Sequence, residues 1–386
     1  MPAITTIIIA HPASPTGQDC FNYCPTSTTF LHHKSASPVR EALFVLLMDT
    51  NTLPPRTDIR LALPSKGRLA EDALNLLARV DLRVHKPNPR QYQATIPALP
   101  DLQVLFQRPG DIVTSVRNGS VDFGITGWDA VCERGGEDGC ILPLHRELGF
   151  GHCSLNVIVP EGVSSVHCMS DLLRWQRELA RPLRVATKFP NLTRSFFRRH
   201  GIMEVQLIHA EGTLEIAPAI GYADLITDLV SSGTTLRDNR LRPLDDGCIL
   251  RSQASLIANR RALKSRPRVL EVARRLLEFI VAHLRAEENV SVFANMRGDS
   301  PEEIARKMFS QRLLRGLQGP TISPLITSSS GSWFAVHIIV RKEELHQAIR
   351  ELRAIGGSGV VVTPVTYIFE EEPAEYIALL EALKES

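Results

Sequence analysis

The sequence predicts an α/β protein of two lobes with a cleft between them, followed by a small domain of different order. Three observations predict it. From Ile59 onward, short apolar runs alternate with helical patterns, the grammar of βαβ units and a mostly parallel sheet. That grammar starts afresh after residue 150. The last hundred residues change to the order βαββαβ, the split motif of ferredoxin-like domains.

The elements follow in order. Ile59–Leu63 reads as a strand, and Leu69, Ala73, Leu76 and Leu77 recur at helical spacing. Val104–Phe106 is a strand, Ile112, Val113 and Val116 share a helical face, and Val121–Thr126 is a strand edge. The second block gives strands Ser154–Val159 and Leu183–Ala186, then a helix capped by Asn191 that runs to Arg199 before Gly201. A strand at Val205–Ile208, a helix over 213–220 and a strand at Leu225–Val230 come next. Residues 249–258 form one further strand before a long helix over 267–285. In the last block, strands Val290–Met296, Thr321–Ile326 and Trp333–Val340 surround a helix opened by the capping box Ser300-Pro-Glu-Glu303. Leu345, Ala348, Ile349 and Leu352 form a helical stripe ending at Gly356-Gly357, and Val360–Thr363 and Tyr367–Phe369 finish on a strand. The resulting division is 58–152 with 246–288 as one lobe, 153–245 as the other, and 289–386 as the C-terminal domain.

Composition narrows the class. The 386 residues suffice for two or three domains. Hydrophobic residues are 44% and charged residues 22%, ordinary for a globular protein, and the net charge of +2 carries no signature of nucleic-acid binding. No apolar run approaches the roughly 20 residues of a membrane helix. Seven scattered cysteines, with no CxxC pair and no histidine at ligand spacing, argue against a disulfide framework or structural zinc and fit a reducing compartment.

Residues 1–57 differ from the rest: rich in Ser, Thr, Pro and His, poor in acids, and without amphipathic period. They read either as a transit-type leader to a plastid or as a non-native extension before a true start at Met48, with a cytoplasmic protein the favoured expectation. Either way no packed structure is expected there.

The chemistry concentrates in loops that follow strands. Asp228-Leu-Val-Ser-Ser-Gly-Thr-Thr-Leu236 places an acid at a strand's end and then a small-residue turn opening a helix. Gly233 permits close approach, and Ser231, Ser232, Thr234 and Thr235 add hydroxyls to the N–H groups of the helix start. This cradle suits a phosphate, and the acid suits ribose hydroxyls or a Mg²⁺ borne on a sugar phosphate. The same residues also suit an ordinary Ser/Thr-capped turn. Pro64-Ser-Lys-Gly-Arg-Leu69 is a second anion site, with Lys66, Gly67 and Arg68 at a helix start; a solvated basic turn is the alternative. Arg108 ends a strand, placed to clamp a phosphate or to pair with Asp111. Asp122 and Thr126 mark another strand edge, and Gly212-Thr213 opens the helix expected at 213–220. No Ser/His/Asp or metal-ligand pattern and no covalent nucleophile is evident.

Four motifs in order make the chain resemble the long, regulated form of the ATP phosphoribosyltransferase family: Pro64-Ser-Lys-Gly-Arg-Leu69, Gly124-Ile-Thr-Gly127, Asp224-Leu-Ile-Thr-Asp-Leu-Val-Ser-Ser-Gly-Thr-Thr-Leu236, and Gly319-Pro-Thr-Ile-Ser-Pro324 with Ile355-Gly-Gly-Ser-Gly359. The resemblance covers about residues 58–370 and implies a two-lobed, periplasmic-binding-protein-like catalytic region. It implies that N1 of ATP's adenine attacks the anomeric carbon of phosphoribosyl pyrophosphate, with Mg²⁺ carried by the substrate and no dedicated protein ligands. It implies further that Ser231–Thr235 hold the 5′-phosphate and that Asp228 holds the ribose hydroxyls, with Asp224 on the same edge. Gly212 and Thr213 would lie near the pyrophosphate. Lys66, Gly67, Arg68 and Arg108 would face ATP and pyrophosphate charges, and Asp122 and Thr126 would line the adenine side. Histidine would act at a pocket between subunits that includes Asp299, Leu317, Thr321 and Gly359, in dimers assembling to hexamers, and AMP is left open as a further effector. The competing readings are a solute-binding protein, a phosphoribosyltransferase for another base, and a silent regulatory paralogue.

Overall fold

The computed structural model describes residues 56–385 except 89, 180, 211 and 327–330. The expectations for residues 1–55 and for Glu211 lie outside the described residues.

The chain begins with β1 (Ile59–Pro64), α1 (Arg68–Arg79), β2 (Gln93–Thr95), β3 (Leu102–Gln107), α2 (Pro109–Arg117), β4 (Phe123–Gly127), α3 (Trp128–Arg134) and β5 (Ile141–His145). It continues with β6 (Cys153–Pro160), α4 (Met169–Glu178), β7 (Leu183–Thr187), α5 (Pro190–Arg199), β8 (Val205–His209), β9 (Leu225–Val230), α6 (Thr234–Asp238) and β10 (Leu241–Ser252). It then returns through β11 (Ala254–Asn259), α7 (Arg260–Ser265) and α8 (Pro267–Glu287). Two sheets result, one in the order β2-β3-β1-β4-β11-β5 and one in the order β10-β6-β9-β7-β8. The central strands are buried on both faces, as β1 (Ile-Arg-Leu-Ala-Leu-Pro) illustrates, which is why they read as apolar runs rather than alternations. The helical stripes pack as their spacing demands: Ala70, Ala73, Leu76 and Leu77 in α1, and Val269, Val272, Leu276, Leu277 and Ile280 in α8.

The two sheets share two crossings of the chain. One is residues 146–152, between β5 and β6; the other is the single residue Gln253, between β10 and β11. The strand expected over 249–258 is therefore two strands in different sheets. Residues 248 and 250–252 pair with β6, and 254–258 pair with β4. The crossings are tied together: Gly149 N–H donates to Gln253 Oε1 (3.0 Å), Leu148 N–H to the Ala254 carbonyl (3.0 Å), and Ala254 N–H to the Phe150 carbonyl (2.9 Å). Two α/β lobes joined by two adjacent crossings form the periplasmic-binding-protein-like arrangement expected.

The last part contains β12 (Asn289–Arg297), α9 (Pro301–Phe309), β13 (Thr321–Leu325), β14 (Trp333–Arg341), α10 (Leu345–Ala354) and β15 (Ser358–Pro364). Its strands pair antiparallel in the order β13-β14-β12-β15, the ferredoxin-like arrangement. Phe334, Val336, Ile338 and Val340 of β14 lie buried on one face with Ile304 and Met308 of α9 and Ala348 and Leu352 of α10. Ser300 Oγ accepts the Glu303 N–H (3.2 Å), but the return bond of the expected capping box reaches Asp299 N–H instead.

Three local expectations fail for physical reasons. Asn191 does not cap α5. Phe189 holds that position, Pro190 is the first helical residue, and the Asn191 side chain turns to the Glu133 carbonyl (3.1 Å). The helix expected at 213–220 is a three-residue 3₁₀ turn, Leu214–Ile216. Tyr367–Phe369 is no strand: both rings pack edge-on against Phe279 of α8, with centroids 6.1 and 5.8 Å away. The segment after β15 thus runs back along α8, held by Arg274–Glu372 (2.8 Å) and Arg285–Glu370 pairs. It delivers a helix that the sequence reading missed, α11 (Ala374–Lys384), into the core of the first lobe, where Leu379 is buried with Leu142, Leu144 and Val272.

Leu379 should therefore behave as a core residue of a lobe 100 residues away. Leu379→Ala is expected to cost about 2–3 kcal/mol, read from urea denaturation. A cost below about 0.5 kcal/mol, typical of surface substitutions, would show that α11 is not part of that core.

Candidate functional site

The first lobe presents its loops at one edge. β1, β3 and β4 run parallel, and β5 shares their direction through β11, so all four end on the same side. Lys66, Gly67 and Arg68 follow β1, Arg108 follows β3, Trp128 follows β4, and Arg146 follows β5. The first two loops are stitched by Ser65 N–H to the Gln107 carbonyl (2.8 Å). Gly67 takes φ +76° with open space where a Cβ would point, so the turn needs the left-handed region rather than room. Lys66 and Arg68 are exposed, Arg68 standing 3.7 Å from Asp72. The Arg146 guanidinium lies over the Trp128 indole at 4.8 Å.

The second lobe presents a matching edge. Lys188 follows β7, Gly212 and Thr213 follow β8, and Asp228 lies near the end of β9, followed by Ser231–Thr235. The cradle opens to solvent. Ser231, Ser232, Thr234 and Thr235 are exposed, Gly233 turns at φ +70°, and Ser232 Oγ lies 3.1 Å from Thr234 Oγ1. Since α6 has five residues, the cradle offers N–H groups and hydroxyls more than a long helix dipole. Thr213 sits at φ +43°, a strained setting for a β-branched residue. Beneath Asp228, three buried hydroxyls bind one another: Thr227 to Thr187 (2.6 Å), Thr193 to Thr227 (2.7 Å) and Thr187 to Thr193 (3.4 Å).

Two expected site residues are at the far edge, and a third is at the right edge but buried. Asp122 precedes β4, at the opposite end of the sheet from Lys66. It is fully buried, accepting the Arg60 N–H (2.8 Å) and pairing with Arg266 (2.9 Å). Asp224 precedes β9 and is four residues, about 13 Å, from Asp228 on the far edge. Its carboxylate binds Arg181 (2.7 and 2.8 Å) and Arg184 (2.8 Å). Thr126 is at the right edge but fully buried. Its hydroxyl donates to the Pro109 carbonyl (3.0 Å), which fixes the start of α2 behind Arg108. In the C-terminal domain, Asp299, Leu317, Thr321 and Gly359 are exposed. Thr321 and Gly359 lie on the two outer strands, three strand spacings or about 14 Å apart. One chain does not bring them into a single pocket.

Between the lobe edges lies a cleft of about 740 Å³, lined by Trp128 and Arg146 from one lobe, Asn156, Ser231 and Arg251 from the other, and the crossing residue Gln253. Trp128, Arg146, Lys188 and Arg251 were not singled out from the sequence. Lys188 carried the same signal as Lys66, a cation just past an apolar strand. Arg146 carried none, because β5 was not recognised.

Residues 108–279 match the family model described as ATP phosphoribosyltransferase, and 286–367 match that for the HisG C-terminal domain. ATP phosphoribosyltransferases 1 and 2, chloroplastic, of Arabidopsis thaliana are 45% and 46% identical, aligned over 85% and 87% of this chain and 82% and 83% of their own. The chain belongs to the ATP phosphoribosyltransferase family. A bacterial member, ATP phosphoribosyltransferase of Gemmatimonas aurantiaca, is 37% identical over 80% of this chain and 98% of its own. A solved chain of the ATP phosphoribosyl transferase (HisG:HisZ) complex from Thermotoga maritima aligns over 58% of this chain and 98% of its own, at 24% identity and a TM-score of 0.46.

In this ATP phosphoribosyltransferase fold the two aspartates of the third motif have opposite electrostatics. Burial raises Asp228 above the ordinary carboxylate range. The Lys188 amine and the Leu229 N–H pull it down, and Glu215 adds to the rise. Burial acts upward on Asp224 too, but hydrogen bonds from Arg181 and Arg184 outweigh it and hold that carboxyl well below the range. A raised folded-state pKa means stability that is present at low pH and lost as pH rises through it. A depressed one means stability present above the unfolded value of about 3.9 and lost as pH falls. Asp228→Asn should hold or raise Tm at pH 7, by an increment that shrinks toward pH ~4, while turnover falls about 100-fold or more. Asp224→Asn should lower Tm at pH 7 by about 4–8 °C, for about 2 kcal/mol, with KM for phosphoribosyl pyrophosphate little changed. Melting curves from pH 4 to 8 with steady-state kinetics check both, and exchanged phenotypes would reverse the assignment.

Proposed function

We propose that this ATP phosphoribosyltransferase, the enzyme of the first step of histidine biosynthesis, joins ATP and phosphoribosyl pyrophosphate across the cleft between its lobes. The observation that carries the reading is the facing pair of edges. One is lined by Lys66, Arg68, Arg108 and Arg146; the other holds an acid with a hydroxyl-rich cradle. Two polyanions can be held so, each by one lobe, with the reacting atoms meeting between them. The bond from adenine N1 to the anomeric carbon forms as the bond to the pyrophosphate oxygen breaks. Both electron pairs come from the substrates, and no protein nucleophile is required.

Asp228 would accept the ribose hydroxyls, which adds donors to the Leu229 N–H (2.8 Å) that its desolvated carboxylate already accepts. Ser231, Ser232, Thr234 and Thr235 would hold the 5′-phosphate, and Gly212 and Thr213 the pyrophosphate beside Lys188. A Mg²⁺ on the pyrophosphate would neutralise leaving-group charge, and the hard oxygen of Asp228 suits that ion. The division into lobes belongs to the same reading, with the boundary expected at 246 moved to Gln253 because β10 pairs with β6: 58–152 with 254–288, 153–252, and a C-terminal domain from 289, with α11 returned to the first lobe. We read the C-terminal sheet as a histidine-binding, regulatory domain. The spread of Thr321 and Gly359 over opposite outer strands supports a pocket completed by a second copy of the chain, within dimers or hexamers.

Product formation from the two substrates, followed by absorbance and mass, tests this directly. Phosphoribosyl-ATP should form with Mg²⁺, cease with excess EDTA, and decline with millimolar histidine, whereas Asp299→Ala should keep turnover and lose the histidine response. Turnover indifferent to histidine in the unaltered chain would remove the regulatory reading and leave the enzyme.

Among the described residues no helix is long and apolar enough to cross a membrane. The chloroplastic relatives, together with the acid-poor, Ser/Thr-rich residues 1–57, support the transit-peptide reading over a start at Met48. Residues 1–57 fused to a fluorescent protein should enter plastids in plant cells; diffuse cytosolic fluorescence would favour the extension reading.

A further inference from the structure

Helix α3 belongs to the first lobe and is fastened to the second at both ends. At its start, Ser252 Oγ of β10 donates to Asp129 Oδ1 (2.6 Å) and accepts the Asp129 N–H (2.9 Å). This bond lies beside the Gln253 crossing, where the lobes must hold together in any conformation. One turn further along, Glu133 reaches the second lobe away from the crossing. Its Oε1 accepts the Asn191 N–H (2.9 Å), its Oε2 accepts the Leu192 N–H (3.0 Å), and its backbone carbonyl accepts Asn191 Nδ2 (3.1 Å).

These are the N–H groups that α5 cannot satisfy for itself. Phe189 at its cap position makes no side-chain bond, and Pro190 follows. The cap comes instead from a carboxylate in the other lobe, 6% exposed. The helix start so held leads straight to the phosphoribosyl edge. Lys188 is two residues before Pro190, Phe189 N–H donates to Thr187 Oγ1 (2.9 Å), and Thr193 of α5 binds Thr227, the residue before Asp228. The next residue of α3 touches the other edge: the Arg134 guanidinium covers Gly110, two residues after Arg108, so closely that a Cβ there would meet it at 2.6 Å.

We propose that Glu133 is a positioning residue for the transfer, an interlobe clasp that sets the angle at which the phosphoribosyl edge meets the ATP edge. The proposal rests on the two-substrate reading of the cleft. Each substrate is held chiefly by one lobe, so loosening the clasp should leave each binding event nearly intact and spoil the alignment of the reacting atoms, for which a misplacement of about 1 Å can cost about 100-fold in rate.

The test compares the full-length chain with Glu133→Gln and Asn191→Ala. For Glu133→Gln, kcat should fall about 10- to 100-fold while both KM values stay within about twofold. Small-angle scattering of the ligand-free protein, at unchanged oligomeric mass, should show a longer pair-distance distribution. Asn191→Ala keeps the carboxylate and its two backbone bonds; it should fall in the same direction by less, and it carries the test should Glu133→Gln fail to fold. A lower Tm with unchanged kcat would reduce Glu133 to a stability role and overturn the proposal. So would a rise in KM for phosphoribosyl pyrophosphate with unchanged kcat, which would place the effect inside the second lobe alone. Should the unaltered chain make no phosphoribosyl-ATP, the functional reading fails first. The scattering comparison still decides the clasp, because identical distributions would refute it.

Discussion

The double crossing at residues 146–152 and Gln253 is the constraint on which the rest of the site depends. It is held by backbone bonds of Leu148, Ala254 and Trp128 and by the Gln253 side chain. Because both crossings leave and enter at the same sheet edges, every loop that follows a parallel strand in either lobe opens toward the same cleft. The general tendency of open α/β sheets to bind ligands at strand carboxyl ends becomes here a geometric consequence of where the chain changes lobes. Lys66, Arg108 and Arg146 need no special device to reach that edge; they need only to sit in the loops just past their strands.

Much of this was legible because strand and helix periods are strong signals and because a loop after a strand can be recognised as one. The edge of a sheet is harder to read. Asp224 and Asp228 are four residues apart in one motif, yet one ends up before the strand's buried run and the other near its end, with opposite surroundings. Asp122 and Thr126 repeat the pattern across β4. A single sequence shows an acid beside an apolar run without showing Arg181, Arg184 or Arg266 waiting for it. Partners from distant sequence were likewise invisible. Nothing near Asn191 announces that its helix is capped by Glu133, and nothing in Tyr367–Phe369 distinguishes a strand from an aromatic strap over α8.

The site balances charge and burial asymmetrically. The first lobe lines its edge with exposed cations, cheap to maintain and screened by salt. The second lobe places a desolvated carboxylate, Asp228, and a strained Thr213 at its edge, both unfavourable in themselves. The second lobe's edge therefore carries the strain of the cleft, and the arginine-clamped Asp224 and the threonine hydroxyl cluster beside β9 brace the strand that bears it.

The seating of α11 also orders events on the ribosome. The first lobe's core draws on residues 59–148, then on 254–280, and finally on Leu379, so its native contacts close only when the last helix emerges. The second lobe is contiguous from 153 to 252 and can complete its own sheet while synthesis continues. During translation the chain thus holds a finished half beside an unfinished one, with the apolar surface that α11 will cover exposed longest. Nascent chains paused before residue 374 carry that surface uncovered.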